Sequence, residues 1–483
     1  MAAAMKRILA AALGAALIIG PLGETAQAAQ AAQAGEKELR DEMIVSILEE
    51  LPSYLYDVVD PGEAVEFPYE DLGLISNSSE AASAVKEAAA GLTDSQKRSA
   101  SGIDRMTLYA EEALAQAASE YALGEINIDL ARLEALKAKA LEAKAAVEEA
   151  LAESGIETRR EVRLRVKILT DAKMMVLIDP SAKEAGLDGV VVETPSFSLE
   201  FSQGVLDLVE TPLSIHAPGG VEVPARWNGA ASSSGLNMLI GQDLLEGIKL
   251  SISISGDPDN LAIMNESRVA FGGKLNPATG RLEAKIFESG TYSAKENSKS
   301  FSDISSKSNE MQKAITALAA KGIISGVAPG VFSPDSAITR AEVAAIVTRI
   351  LSKQSKGYGV QFDDVETGDW YYDAAVSAKE NGIMAGTSES EFSPEIVIPK
   401  DQLVAVVARA LILEMKYKEV DDYSILSMFA DEQDFADWSK VDISFAAREG
   451  LVVERSDGLF DPSDEMTRGD AAVLLYRLFS KVW

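Results

Sequence analysis

One pattern with the residue types for chemistry recurs along the chain. Ile338-Thr339-Arg340-Ala341-Glu342 lies at a loop-to-helix junction, and Met466-Thr467-Arg468-Gly469-Asp470 is a close copy near the end. Ile398-Pro399-Lys400-Asp401-Gln402 is a worn copy between them. Thr339 is a good helix N-cap, and Glu342 three residues later completes a capping box. Thr467 and Asp470 hold the same two places. Arg340 and Arg468 then sit in the first helical turn, where a cation opposes the helix dipole by up to about 1 kcal/mol. An anionic ligand would compensate, because free N–H groups and the dipole attract it and a guanidinium fork holds a carboxylate at two points. An ion pair with a neighbouring acid would serve as well, and the junction by itself leaves both readings open. In the middle copy Pro399 lacks the capping hydroxyl, Lys400 is a point charge rather than a fork, and Asp401 adds a negative charge. That site is expected to be weak or structural.

The elements around the junction also recur. Each copy opens on an aromatic and an acid: Phe301-Ser302-Asp303, Phe362-Asp363-Asp364 and Phe429-Ala430-Asp431. A helix follows and ends at Gly322, Gly382 or Gly450, where glycine suits a left-handed C-cap. A loop with an aromatic and a proline comes next: Phe332-Ser333-Pro334, Phe392-Ser393-Pro394 and Phe460-Asp461-Pro462. The junction then starts a second helix with an apolar face, Val343, Ile346, Val347 and Ile350 in the first copy and Val473, Leu474 and Leu478 in the third. The spacing of about 60–68 residues is that of a repeated structural unit. One helix pair buries little, so the three are expected to share a core as one all-α body with pseudo-threefold character.

Upstream the chain changes character twice. Residues 1–28 read as a secretory signal peptide: Lys6 and Arg7, an apolar run from Ile8 to Leu22, and Ala26-Gln27-Ala28 as cleavage site, with Ala32-Gln33-Ala34 as a second candidate site. The apolar run is too short to span a bilayer comfortably, and no second one follows, so no membrane span is expected. Residues 29–157 read as helical. Met43, Ile44, Ile47, Leu48 and Leu51 recur at helical spacing, and Asp104 to Ser154 forms a long Ala-, Glu- and Lys-rich run broken near Gly124. Residues 158–298 alternate. Val162, Leu164, Val166 and Ile168 interleave with Arg163, Arg165 and Lys167, which predicts a half-buried strand with a basic face. Similar alternation at Phe197–Phe201, Leu250–Ile254 and Leu282–Ile286, with frequent turns, predicts an antiparallel β-sandwich-like domain. The repeats then divide as 299–356, 357–425 and 426–483. The fold class is multidomain α+β.

The 483 residues carry a formal charge of −31. That argues against a nucleic-acid partner, which needs a basic patch. There is no cysteine and one histidine, His216, so neither a cysteine-ligated metal nor a Ser-His-Asp triad can be built. Asp257 and Asp259 have the residue types of a calcium site, but a turn needs the same residues. No cofactor is expected.

The repeated arrangement resembles the S-layer homology (SLH) family, over residues 301–483, about three eighths of the chain. The family pattern is an acidic opening, a Trp in the first helix, Gly-hydrophobic-hydrophobic-x-Gly, Phe-x-Pro and Thr-Arg-Ala-Glu. The first copy matches at Gly322 to Gly326, Phe332, Pro334 and Thr339 to Glu342, but has Ser308-Asn309 where Trp is usual. The second has Trp370, Gly382 to Gly386, Phe392 and Pro394. The third has Trp438, Gly450, Phe460, Pro462 and Thr467 to Asp470.

The resemblance implies a pseudo-threefold SLH trimer whose inter-repeat grooves bind secondary cell wall polymer, a peptidoglycan-linked polysaccharide often carrying a pyruvate ketal. Arg340 and Arg468 would hold the ketal carboxylate, with Lys400 as the weaker third. Trp370 and Trp438 would form groove walls. Thr339, Glu342, Thr467 and Asp470 would order the helix starts. The implied protein is a non-catalytic, secreted surface protein anchored to the Gram-positive wall, with other S-layer subunits as further candidate partners. The alternative is an SLH-anchored extracellular glycan-active enzyme. A glycosidase needs two carboxylates about 5–10 Å apart, and no such pair stands out among the many acids.

Overall fold

The computed structural model describes residues 69–170, 174–217, 236–240, 247–277, 279–287, 290–355, 362–417, 422–452 and 457–482. The expected signal peptide, the apolar pattern from Met43 to Leu51 and the turn at Pro218-Gly219-Gly220 lie outside these. Among the described residues no helix is long and apolar enough to cross a membrane.

Three helices come first: α1 (Ser78–Ala90), α2 (Asp94–Arg98) and α3 (Ala100–Ala117). Local hydrogen bonds start them. The Asn77 side chain accepts from the Glu80 N–H, and Thr93 with Gln96 forms a full capping box. The long helical run then breaks more fully than the sequence predicts. Strands β1 (Ser119–Tyr121) and β2 (Glu125–Ile128) intervene before α4 (Leu130–Glu153). Gly124, at φ 78°, turns the chain, and Ile126 and Ile128 alternate into the core. In α4 the buried residues Leu133, Leu136, Ala140, Ala143, Val147, Ala150 and Leu151 form one stripe. Its alanines let α1 and α3 pack closely.

The remaining strands are β3 (Arg165–Leu169), β4 (Met174–Ile178), β5 (Gly189–Glu193), β6 (Phe197–Ser202), β7 (Leu213–Ala217), β8 (Leu236–Ile240), β9 (Ile248–Ser253), β10 (Leu261–Met264), β11 (Lys274–Asn276), β12 (Arg281–Ile286) and β13 (Gly290–Glu296). A short helix, α5 (Gln203–Asp207), follows β6. They build two sheets, ordered β1-β3-β5-β6-β9-β12-β11 and β10-β13-β8-β7-β4-β2. Both are mixed, which corrects the antiparallel expectation: β1 with β3, β3 with β5 and β2 with β4 pair in parallel. Two of these pairs, β1 with β3 and β2 with β4, arise because β1 and β2 precede α4, so the chain crosses over a helix before returning to each sheet, while between β3 and β5 it passes through β4 of the other sheet. One hydrophobic core runs from Leu72 to Tyr292 and draws on helices and both sheets. The expected division at 157/158 therefore does not separate two cores.

The basic face of β3 is also not solvated. Arg165 and Lys167 are buried, and the acids that meet them come from α3 and the neighbouring strands. Arg165 pairs with Glu200 at 2.9 Å and Glu112 at 3.4 Å, while Lys167 pairs with Glu193 at 2.9 Å and with Glu112. Glu111 takes Arg160 and Arg163. Burial tends to raise the Glu111 carboxyl, but the two guanidinium groups outweigh it and hold it down at about 2. A buried charge persists only with such partners.

The C-terminal part contains α6 (Asn309–Ala320), α7 (Arg340–Leu351), α8 (Tyr372–Glu380), α9 (Lys400–Met415), α10 (Lys440–Arg448) and α11 (Arg468–Lys481). Its core, from Ile304 to Val482, takes residues from all three repeats. The junction residues close a ring of hydrogen bonds: Ile338 N–H to Met466 O at 3.0 Å, Met466 N–H to Ile398 O at 3.1 Å, and Ile398 N–H to Ile338 O at 3.1 Å. Polar contacts join this body to the first. Glu414 meets both Lys285 at 2.9 Å and Lys353 at 3.0 Å, and the Tyr417 hydroxyl donates to Asp104 at 3.1 Å.

Candidate functional site

Each junction is fastened to the loop of the next repeat. The first helical N–H groups are taken by that loop's carbonyls: Arg340 N to Ile396 O and Ala341 N to Pro394 O, Lys400 N to Asp464 O and Asp401 N to Pro462 O, Arg468 N to Ser336 O and Gly469 N to Pro334 O. These N–H groups are therefore not free for a ligand, which corrects the simplest form of the anion argument. The carbonyl oxygens are the compensation that the dipole asks for.

The cations follow the same route. Arg340 lies over the Phe392 ring at 5.1 Å, its Nε donates to Phe392 O at 2.9 Å, Nη2 to Ala385 O at 2.7 Å and Nη1 to Gln402 Oε1 at 3.0 Å. It is 5 % exposed, and burial pulls its pKa below the usual arginine value. Lys400 lies over Phe460 at 4.4 Å and donates to Phe460 O. Arg468 lies over Phe332 at 4.9 Å, with Nε to Phe332 O at 3.2 Å, Nη2 to Ser325 O at 3.0 Å and Nη1 to Glu342 Oε1. So Arg468 has the ion pair that the sequence left open, and Arg340 has a neutral amide in its place.

The caps form as expected, with one difference. Thr339 and Glu342 make a full capping box, whereas Thr467 and Asp470 bond only to each other and to the Asp470 N–H. Aspartate is one methylene shorter, and no bond from Asp470 to the Thr467 N–H forms. Pro399 caps α9 without a side-chain bond.

A groove with a volume of about 200 Å³ opens beside the first junction, lined by Phe332, Glu342, Ile346, Arg349, Trp370 and Arg468. It brings together one residue from each repeat's signature: Glu342, Trp370 and Arg468. Trp370 is 64 % exposed and Trp438 49 % exposed, so neither indole is part of the core. Arg340 and Lys400 do not line this groove.

The roles of two sets of residues are not given by the sequence. Asp303, Asp364 and Asp431 each accept two N–H groups from the Phe loop of their own repeat, Asp303 from Phe332 at 3.0 Å and Ser333 at 2.7 Å, Asp364 from Phe392 at 2.8 Å and Ser393 at 2.7 Å, Asp431 from Phe460 at 2.9 Å and Asp461 at 2.7 Å. This holds Ser333, Ser393 and Asp461 in the left-handed region, at φ 59°, 56° and 55°. The recurrence of Asp two residues after the opening Phe was the available signal. The second set is Arg349, Arg409 and Arg477, two helical turns beyond Glu342, Gln402 and Asp470.

The family model described as S-layer homology domain matches residues 300–344, 361–395 and 429–472. The chain carries three S-layer homology domains. It is thereby a secreted protein of the cell-wall surface. Relatives of the SLH-bearing chain include an amylopullulanase of Thermoanaerobacterium thermosulfurigenes, 29% identical over 48% of this chain and 13% of its own length. An exoglucanase XynX of Acetivibrio thermocellus is 30% identical over 38% of this chain and 16% of its own. A surface-layer 125 kDa protein of Lysinibacillus sphaericus is 32% identical over 37% of this chain and 15% of its own. The chain thus matches only a small part of each of these relatives. The last two matches are about as long as the SLH region, whereas the first is longer.

The carboxylates of the N-terminal body bear on the enzyme alternative. Glu111, Glu112 and Glu200 are buried in ion pairs with basic neighbours. The turn aspartates are likewise engaged: Asp257 accepts from the Asp259 N–H, and Asp259 meets Lys313 at 3.2 Å and the Tyr476 hydroxyl at 3.2 Å. Among the described residues no group of His, Cys, Asp and Glu could hold a metal ion.

Proposed function

We propose that the three SLH domains form one pseudo-threefold body that anchors this protein non-covalently to a secondary cell wall polymer, with no catalytic role of its own. The observation that carries this is the groove where Arg468, held by Glu342, faces the exposed indole of Trp370. A guanidinium supplies a carboxylate or phosphate partner and an indole supplies a face for a sugar ring. Such a pair suits an acidic polysaccharide, and a pyruvate ketal is the carboxylate that the SLH resemblance implies. The hydrogen-bond ring through Ile338, Ile398 and Met466 supports the threefold arrangement. The groove at Arg468 is the principal site. Arg340 and Lys400 are chiefly fasteners between domains, with Thr339, Thr467 and Asp470 ordering the helix starts and Trp438 walling a lesser groove. The N-terminal body would serve as spacer or as an element that meets other surface subunits.

The test is sedimentation with purified walls, before and after chemical removal of the secondary polymer. Wild type should pellet only with intact walls, and Arg468→Ala should pellet poorly. Equal pelleting in every case sinks the proposal.

A second reading is favoured by the amylopullulanase and exoglucanase relatives: an anchored enzyme acting on glycans. Release of reducing sugar from wall or plant glycans, abolished by changing one carboxylate, would establish it in place of the first.

A further inference from the structure

Arg349, Arg409 and Arg477 occupy one position in the three SLH domains, but their surroundings differ. Arg409 Nη2 meets Asp442 Oδ2 at 2.6 Å, and Arg477 Nη2 meets Glu310 Oε1 at 2.6 Å. Both acids lie in the first turn of the facing helix, α10 or α6. The facing helix for Arg349 is α8, whose first turn offers Asp373. Among the described residues Arg349 nevertheless makes no ion pair, and its hydrogen bond is from Nη1 to Ile323 O at 3.2 Å. It is a solvent-exposed residue, and its guanidinium keeps donors to spare.

Its place is what gives this meaning. Arg349 lines the groove of Arg468 and Trp370, and it also lines a second cleft, of about 560 Å³, where the first SLH domain faces the β-rich body. Ile324 and Ser325 belong to both walls, so the two spaces adjoin. The cleft is further lined by Phe271, Lys285, Lys321 and Lys353. Lys285 and Lys353 share Glu414, and the Lys321 ammonium donates to the carbonyls of Pro258 and Leu261. Among the described residues four cations thus gather around one cleft in a chain of net charge −31, and of these Arg349 is the one that no described carboxylate or pair of carbonyls holds.

We infer that Arg349 is a second anion grip, and that groove and cleft form one track for an acidic polysaccharide longer than a single unit. One carboxylate of the chain sits at Arg468 beside Trp370, and the next sits at Arg349 as the chain passes toward the β-rich body. The field of the surrounding lysines favours an anion there. This rests on the polymer-binding reading above and adds a site outside the junction signature, completed by a body that is not part of the repeats.

The experiment uses the full mature chain and acidic polysaccharide released from purified bacterial walls, separated into single-unit and multi-unit fragments, with binding read by calorimetry. Wild type should bind the multi-unit fragments more tightly. Arg349→Gln should lose about tenfold of affinity for them, the size of one charge-assisted hydrogen bond, and change little for single units. Val269→Glu, which places a negative charge on the exposed cleft wall, should reproduce that length-dependent loss. Melting curves establish that both variants fold. If wild type binds but both variants match it on long fragments, the track is wrong while the polymer reading stands. If carboxyl-reduced long fragments still gain affinity through Arg349, the carboxylate assignment is wrong. If wild type binds neither size, both readings fall together.

Discussion

Arg468 and Glu342 meet across the boundary between the third and first SLH domains, Nη1 of one donating to Oε1 of the other. The second oxygen of the same carboxylate accepts the Thr339 N–H at 3.0 Å. One side chain therefore caps a helix and aims the guanidinium that lines the groove. Arg340 holds the equivalent place against Gln402 and two carbonyls, and is buried. The two copies of one motif have thus separated into a groove-lining member and a buried member.

The separation predicts opposite phenotypes. Arg340→Ala leaves the Phe392 and Ala385 carbonyls and Gln402 without their donor, and should cost about 2–3 kcal/mol of stability. Urea unfolding followed by tryptophan fluorescence would measure it. Arg468→Ala should cost less stability and lower wall binding by about tenfold. A stable Arg340→Ala variant with impaired wall binding would reverse the assignment.

Trp370 is exposed, so its removal tests the groove without disturbing the core. Trp370→Ala should change stability by no more than about 0.5 kcal/mol while weakening polymer binding about tenfold. Trp438→Ala should weaken it less, because the arginine of the corresponding junction, Arg340, is buried. Equal losses from the two would argue that both grooves work.

The glycine before the loop in the first two repeats, Gly326 and Gly386, is demanded by close approach. A Cβ on Gly386 would stand 2.3 Å from Glu391 O and 2.5 Å from Ser388 O, and one on Gly326 would stand 2.4 Å from Val331 O. Backbone atoms cannot swing aside as a side chain tip can. Gly386→Ala should therefore cost about 1–3 kcal/mol, seen as a lower melting temperature. Gly368→Ala, which meets nothing within 4 Å, should leave it unchanged.

Acid should loosen the molecule in a defined window. The Glu111 carboxyl is held at about 2 by Arg163 and Arg160 against the effect of burial, and Glu414 at about 2 by Lys285 and Lys353 against the same effect. Both folded values lie below the ordinary 4.5, so their stabilisation is complete above that pH and is lost as pH falls from there toward 2. Chemical denaturation across that range should show stability declining by a few kcal/mol per group. Glu414→Gln should be less stable at neutral pH and lose less on acidification. A pH-independent stability between 5 and 2 would contradict these ion pairs.

Much of the repeat architecture was legible because its causes are local. Thr339 and Glu342 cap within one turn, Gly322, Gly382 and Gly450 end helices by their own backbone freedom, and the apolar stripe from Val343 to Ile350 follows from helical spacing. The strands at Phe197, Ile248 and Arg281 were legible for the same reason, through alternation. Other elements were not. Strands β1 and β2 lie inside a helix-favouring composition, and they exist because β3 and β4 pair with them.

The sequence by itself thus determined that three like units end this chain, where their helices begin, and which residues could grip an anion. It carried no information on who meets whom across long separations. Tertiary structure decided that the basic face of β3 is buried against α3, that Arg340 spends its donors on a neighbour's carbonyls, and that Arg349, among the described residues, lacks the acid its two counterparts have. A charged side chain has one chemistry in the sequence, but burial and the nearest opposite charge choose between holding the fold together and holding a ligand.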